Sequence, residues 1–167
     1  MWRKHLISSL YLIVSFRRCN TEGLSAQRDA FFCISLNSCE KRSIWAIRDI
    51  FREKGYAHLD VLMHYPLRHL VTSASNLPPE QRTYASRSWT HLDFLIYDTV
   101  SHRAKLAIEV DGTQFHRRGS NQGQRDQLKD SILEAIGLPL LRLSTNGSQE
   151  KVKIVQALSK ADSLKES

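Results

Sequence analysis

Three acidic side chains stand close together in two short, mostly apolar segments: Asp93 in HLDFLIYD (91–98), and Glu109 and Asp111 in AKLAIEVD (104–111). Read as strands, the second segment sends Leu106, Ile108 and Val110 to one face and Ala107, Glu109 and Asp111 to the other. In the first, Leu92, Phe94 and Ile96 share a face and Asp93 takes the opposite one. Pairing apolar with apolar sets Phe94 opposite Ile108, and hence Asp93 opposite Glu109. Carboxylates gathered in this way raise one another's pKa unless a cation sits among them. The expected cation is Mg²⁺ (or Mn²⁺), which takes hard oxygen ligands and keeps several waters. A solvated sheet face accounts for one acidic residue and accounts poorly for three on one patch.

Immediately downstream come Gly112, suited to a tight turn, then His116, Arg117 and Arg118, and then Gln124, Arg125, Asp126, Lys129 and Asp130. Arg125 and Lys129 are four apart and project on one side of a helix. Leu128, Ile132 and Ile136 form the stripe that faces the sheet, so Lys129 emerges near its edge, from where a long side chain reaches the acidic patch. A metal beside such cations suits phosphodiester chemistry: the metal polarises phosphate and acidifies a bound water, and Lys or Arg steadies the developing charge. Taken alone, Arg125–Asp126 and Lys129–Asp130 read equally well as a solvated face with local ion pairs.

The elements that must position these groups are legible around them. Asn37 and Glu40 have capping-box spacing and open a helix with Ile44, Ile47, Ile50 and Phe51 on one stripe, closed at Gly55 as a C′ residue. Leu59–Tyr65 reads as a strand that stops at Pro66, and residues 72–88 as an irregular connection with a short helix from Glu80. Thr99–Arg103 is short enough for a hairpin. A helix over Gln122–Ile136 ends at Gly137 and Pro139, a strand covers Pro139–Ser144, Thr145–Ser148 turns, and a last helix covers Gln149–Leu158. Helix, three strands, helix, strand, helix is an α/β order with a parallel crossover inside a mixed sheet.

The chain has 167 residues, with Lys+Arg 24 against Asp+Glu 17 for a net charge of +7, a balance suited to a polyanionic partner. Cys19, Cys33 and Cys39 are odd in number and lack C-x-x-C spacing, which disfavours a disulfide framework or a cysteine-rich zinc site and suits a reducing compartment. No apolar run approaches the roughly 20 residues of a membrane-spanning helix. Leu6–Phe16, flanked by Arg3 and Lys4 and by Arg17 and Arg18, has the outline of a secretory signal. No small-residue cleavage site follows it, and a buried core segment or a piece of a longer chain are the alternatives.

The block HLDFLIYD…LAIEVDGTQFH…QRDQLKDSIL…GLPLLRLSTNGS resembles the PD-(D/E)XK nuclease superfamily, whose restriction-endonuclease-like core has the order α-β-β-β-α-β. It is most similar to the nuclease-like domain at the C-terminus of bacterial superfamily-one DNA helicases, and related in pattern to very-short-patch-repair-type endonucleases. The resemblance runs from about residue 40 to 158 and is specific over 91–145. It implies an endonuclease-like domain over 39–160, an N-terminal appendage over 1–38 and a flexible tail over 161–167. It also implies a cytoplasmic Mg²⁺-dependent deoxyribonuclease, with DNA as partner and a helicase module outside this chain. Nothing in the sequence separates DNA from RNA.

Carried over residue by residue, the resemblance makes Asp93 and Glu109 metal ligands and the main-chain carbonyl of Val110 a third. Glu40 either completes the metal shell or is only the capping-box partner. Asp111 stands where the superfamily usually has lysine. Either Lys129 supplies that cation while Asp111 adds a ligand or orients a water, or His116 acts as acid/base, or activity is lost. Arg117, Arg118, Gln124 and Arg125 are the expected nucleic-acid contacts.

Overall fold

In the computed structural model, which describes residues 37–71, 76–111, 121–144 and 148–163, the first helix begins as its sequence dictates. The Asn37 side chain accepts from the backbone N–H groups of Cys39 and Glu40, and Glu40 Oε2 accepts from the Asn37 N–H at 3.0 Å. This reciprocal cap satisfies donors that a helix start leaves orphaned and opens α1 (Ser38–Phe51). Ile44, Ile47 and Ile50 are buried along one stripe, with Phe51 packed beside them.

Gly55 does not close this helix. The last turn ends at Phe51, the Arg52 N–H donates to the Asp49 carbonyl and the Glu53 N–H to the Ile50 carbonyl, and a 3₁₀ turn (Lys54–Tyr56) follows. Gly55 lies inside that turn without the positive φ of a C′ glycine, because the tightening turn has already satisfied the terminal carbonyls.

The remaining elements are β1 (Leu59–Pro66), α2 (Pro79–Ser86), β2 (His91–Asp98), β3 (Ala104–Asp111), α3 (Asn121–Ala135), β4 (Leu140–Ser144) and α4 (Glu150–Ser163). The fold is α/β: a four-stranded mixed sheet of order β1-β2-β3-β4, flanked by helices. β1, β2 and β3 pair antiparallel, and β4 joins β3 parallel through the crossover that contains α3. Phe94 stands opposite Ile108, as alternation required.

Each sheet face carries its own core. On one, α1 and α4 cover Phe94, Ile96, Leu106 and Ile108; on the other, α2 and α3 cover Leu95 and Ala107 with Tyr84, Ile132 and Leu133. Leu92 belongs to the second cluster rather than with Phe94 and Ile96, packed with Leu67 from the 3₁₀ turn (Leu67–His69) that follows β1. Gly137 stops α3 at φ +68, with its N–H donating to Glu134 and the Leu138 N–H to Leu133, both through carbonyls of the last turn. Only glycine takes this left-handed position without a steric cost.

The last helix runs on to Ser163 rather than stopping at Leu158, and Ala161 is buried, so residues 161–163 are not a flexible tail. The apolar period of Ile154 and Leu158 simply continues to Ala161. Leu6–Phe16, Gly112, His116, Arg117, Arg118 and residues 145–147 of the expected turn lie outside the described residues. Among those described, no helix is long and apolar enough to cross a membrane.

Candidate functional site

Asp93 and Glu109 project from neighbouring strands onto the sheet face that α3 covers. They follow the last paired residues of the ladder, Phe94 and Ile108, and stand near enough for the charge of Asp93 to act on Glu109. The hairpin holds Asp93 directly: its Oδ2 accepts from the Val110 N–H at 2.8 Å. The residue expected to offer a carbonyl to a metal thus also fixes the orientation of the adjoining carboxylate.

Glu109 is buried, and its Oε2 accepts from Lys129 Nζ at 2.7 Å. Lys129 reaches it from α3 and also donates to the His91 carbonyl at 3.0 Å. Burial pushes the Glu109 carboxyl from 4.5 up to about 7; Lys129 opposes that rise and the charge of Asp93 adds to it. Glu109 Oε1 is buried with no hydrogen-bond partner among the described residues. A buried carboxylate oxygen without a donor is costly, and a cation between Glu109 and Asp93 would satisfy it. The two carboxylates therefore fit Mg²⁺, with Glu109 Oε1 and Asp93 as its protein oxygens and water completing the shell.

The third carboxylate is engaged elsewhere. Asp111 Oδ1 receives Arg142 Nη1 at 2.9 Å, and Arg142 Nη2 also reaches Asp130 at 2.6 Å. β4 places Arg142 beside Glu109 in the parallel register and Ser144 beside Asp111. Glu109 and Asp111 thus have a cation each from this chain, which relieves the repulsion expected of three neighbouring carboxylates.

Glu40 acts as the capping partner: its carboxylate closes the α1 cap, and α1 packs on the sheet face opposite to that of Glu109. The expectation that it completes a metal shell is corrected on that ground.

A pocket of about 180 Å³ opens beside these groups, lined by Tyr84, Trp89, His91, Asp93, Arg125 and Lys129 among others. Arg125 and Lys129 share a side of α3 and both face it. Arg125 and Gln124 are exposed. Trp89, 66% exposed, lies at the rim under the Arg87 guanidinium.

Three side chains at this end of the sheet were not singled out from the sequence. Arg142 carries a usable signal, as a lone charge inside the apolar strand LLRLS. His91 stands two residues before Asp93 in β2, and both line the pocket. His64 becomes a neighbour only through the β1–β2 register. Burial and the neighbouring His64 lower the His91 pKa from 6.5, so its imidazole is neutral at pH 7.

Fold and site together define an α/β protein with a buried carboxylate–lysine centre at one end of its sheet. The chain belongs to the family described as a protein of unknown function (DUF2726), which it matches over residues 36–161. No curated protein and no solved structure matches it.

Proposed function

We propose that this protein is a metal-dependent deoxyribonuclease of the PD-(D/E)XK type, acting in the cytoplasm. The observation that carries this reading is Glu109: buried, held on one oxygen by Lys129, without a partner on the other among the described residues, and next to Asp93. Mg²⁺, when bound there, supplies Lewis acidity toward a phosphate and toward a water nucleophile. Asp93, preset by the Val110 N–H, and Glu109 would hold it.

Lys129 supports the reading at the point where the sequence departs from the superfamily. The lysine expected two residues after Glu109 is Asp111, and a lysine ammonium nevertheless stands 2.7 Å from Glu109, contributed by the next helix. On this reading it would balance charge beside the attacking water. Arg125, exposed on the same side of α3 and lining the same pocket, would meet a phosphate oxygen. The test is nicking of supercoiled plasmid DNA by purified protein with Mg²⁺, Mn²⁺ or EDTA, with Glu109→Gln as control and structured RNA in parallel. Metal-dependent nicking lost in the variant supports the reading, and no nicking with either ion defeats it.

A second reading draws on the same ion pairs. Glu109 and Asp111 are neutralised by Lys129 and Arg142, as suits a nucleic-acid-binding module that keeps the fold without the chemistry. Salt-dependent DNA binding without cleavage would select it, since phosphate contacts release counterions. A helicase module outside this chain remains part of either proposal.

A further inference from the structure

We propose that His64, His91 and Asp93 form a binding site for a borderline divalent cation of the Zn²⁺ class, distinct in ligand chemistry from a carboxylate Mg²⁺ site. β1 and β2 keep the same register on either side of His64, with Met63 meeting Phe94 and Tyr65 meeting Leu92, so His64 falls across from Asp93. His91 lies two residues before Asp93 in the same strand. One ligand atom from each of the three lies within 4.8 Å of the others. A tetrahedral Zn²⁺ about 2.1 Å from each ligand holds them roughly 3.4 Å apart, a contraction within reach of small side-chain rotations.

The two imidazoles stand edge to face with centroids 5.3 Å apart and planes at 74°. His91 Nδ1 faces the Trp89 carbonyl at 2.9 Å. A carbonyl only accepts, so Nδ1 carries the hydrogen and Nε2 keeps its lone pair. A backbone carbonyl fixing a histidine tautomer in this way is the usual support of a metal-ligating imidazole.

The backbone at His64 is a second observation, independent of the clustering. Its φ of +48 falls in the left-handed region, in the middle of a paired strand. That conformation is costly for a residue with a side chain and clusters at functional sites.

Two imidazoles and one carboxylate select borderline ions over Mg²⁺. Three protein ligands leave a fourth position for water, and two of the three, His91 and Asp93, also line the pocket. The inference concerns metal binding and does not rest on hydrolysis. Asp93 is common to both proposed centres, and Glu109→Gln separates them, because it removes a Mg²⁺ ligand and leaves these three in place.

The experiment is titration of the full chain, purified without an oligohistidine tag, with Zn²⁺ by calorimetry and with Co²⁺ by visible absorption. One equivalent should bind, with low-symmetry Co²⁺ bands, a rise in Tm with Zn²⁺, and no displacement by tenfold excess Mg²⁺. His64→Asn, chosen because asparagine tolerates positive φ, and His91→Gln should each weaken binding at least tenfold. Glu109→Gln and His58→Gln should bind as wild type does. Absence of one-equivalent binding and of a Tm rise in the wild type overturns the proposal whatever the variants do. Equal loss in His58→Gln, or none in His64→Asn and His91→Gln, overturns it as well.

Discussion

Lys129 Nζ and Glu109 Oε2 meet at 2.7 Å across the boundary between the crossover helix and the strand before it, with side chains only 12% and 9% exposed. The pair sits where desolvation is severe, so each partner depends on the other to remain in place. Several measurable consequences follow from that dependence and from the groups around it.

The first concerns pH. The folded Glu109 carboxyl titrates near 7 against 4.5 for an unperturbed glutamate, so protonation favours the folded state. The contribution is complete below pH 4.5 and is lost as pH rises to about 7. Thermal unfolding in EDTA should show wild type losing stability relative to Glu109→Gln across that window, by up to about 3 kcal/mol. A difference that is constant with pH would show that burial does not perturb this carboxyl.

Lys129→Met should leave a buried carboxylate without its cation. The expected loss is about 3 kcal/mol at pH 8, smaller at pH 5 where Glu109 holds its proton, and partly restored by adding Glu109→Gln. Under the nuclease reading, turnover falls by about tenfold or more while DNA affinity changes by less than about threefold, since ground-state binding is shared among many cations. Parallel losses in affinity and rate would instead make Lys129 a phosphate contact.

Asp111 tests whether the third acidic residue serves the metal or the fold. Its partner Arg142 is 28% exposed and bridges to Asp130 as well. Asp111→Asn should therefore cost less than about 1 kcal/mol and leave any cleavage within about twofold of wild type. Loss of cleavage as complete as in Glu109→Gln would return Asp111 to the ligand set.

Glu40→Gln should retain the α1 cap, because glutamine serves in a capping box, and should leave metal affinity unchanged. Glu40→Ala should lower stability by about 1 kcal/mol without affecting metal binding. Calorimetry on both variants checks this; a metal-affinity loss in Glu40→Gln would contradict the capping role.

Much of this arrangement is written locally in the chain. The Asn37 cap, the alternation in β3 and that of β2 from Phe94 to Ile96, the short hairpin and the Gly137 stop each depend on neighbouring residues, and each is seen; Leu92 departs from the β2 pattern. Lys129 at the edge of its helix stripe was legible for the same reason: periodicity alone puts it beside the acidic face. Gly55 misled because a 3₁₀ turn and a left-handed cap both end a helix, and composition does not separate them. The cation on Asp111 and the partner of His91 were not legible, because they depend on register across non-local pairings. Arg142 reaches Asp111 only through the parallel β3–β4 ladder, and His64 reaches Asp93 only after a long connection closes.

That division between near and far pairings has a kinetic side. The β2–β3 hairpin closes a five-residue link, Thr99–Arg103, whereas β4 pairs with β3 only after the whole crossover has been ordered. Loop-closure entropy is lost before non-local contacts can offset it, so the hairpin is the natural early structure and the crossover the late one. Asp93 and the Val110 N–H then meet on the way up the folding barrier, and Glu109 stays hydrated until α3 lands on it with Lys129. Asp93→Ala is expected to slow refolding, and Lys129→Met to speed unfolding while sparing the refolding rate. In a stopped-flow chevron the two halves of one site would move opposite limbs.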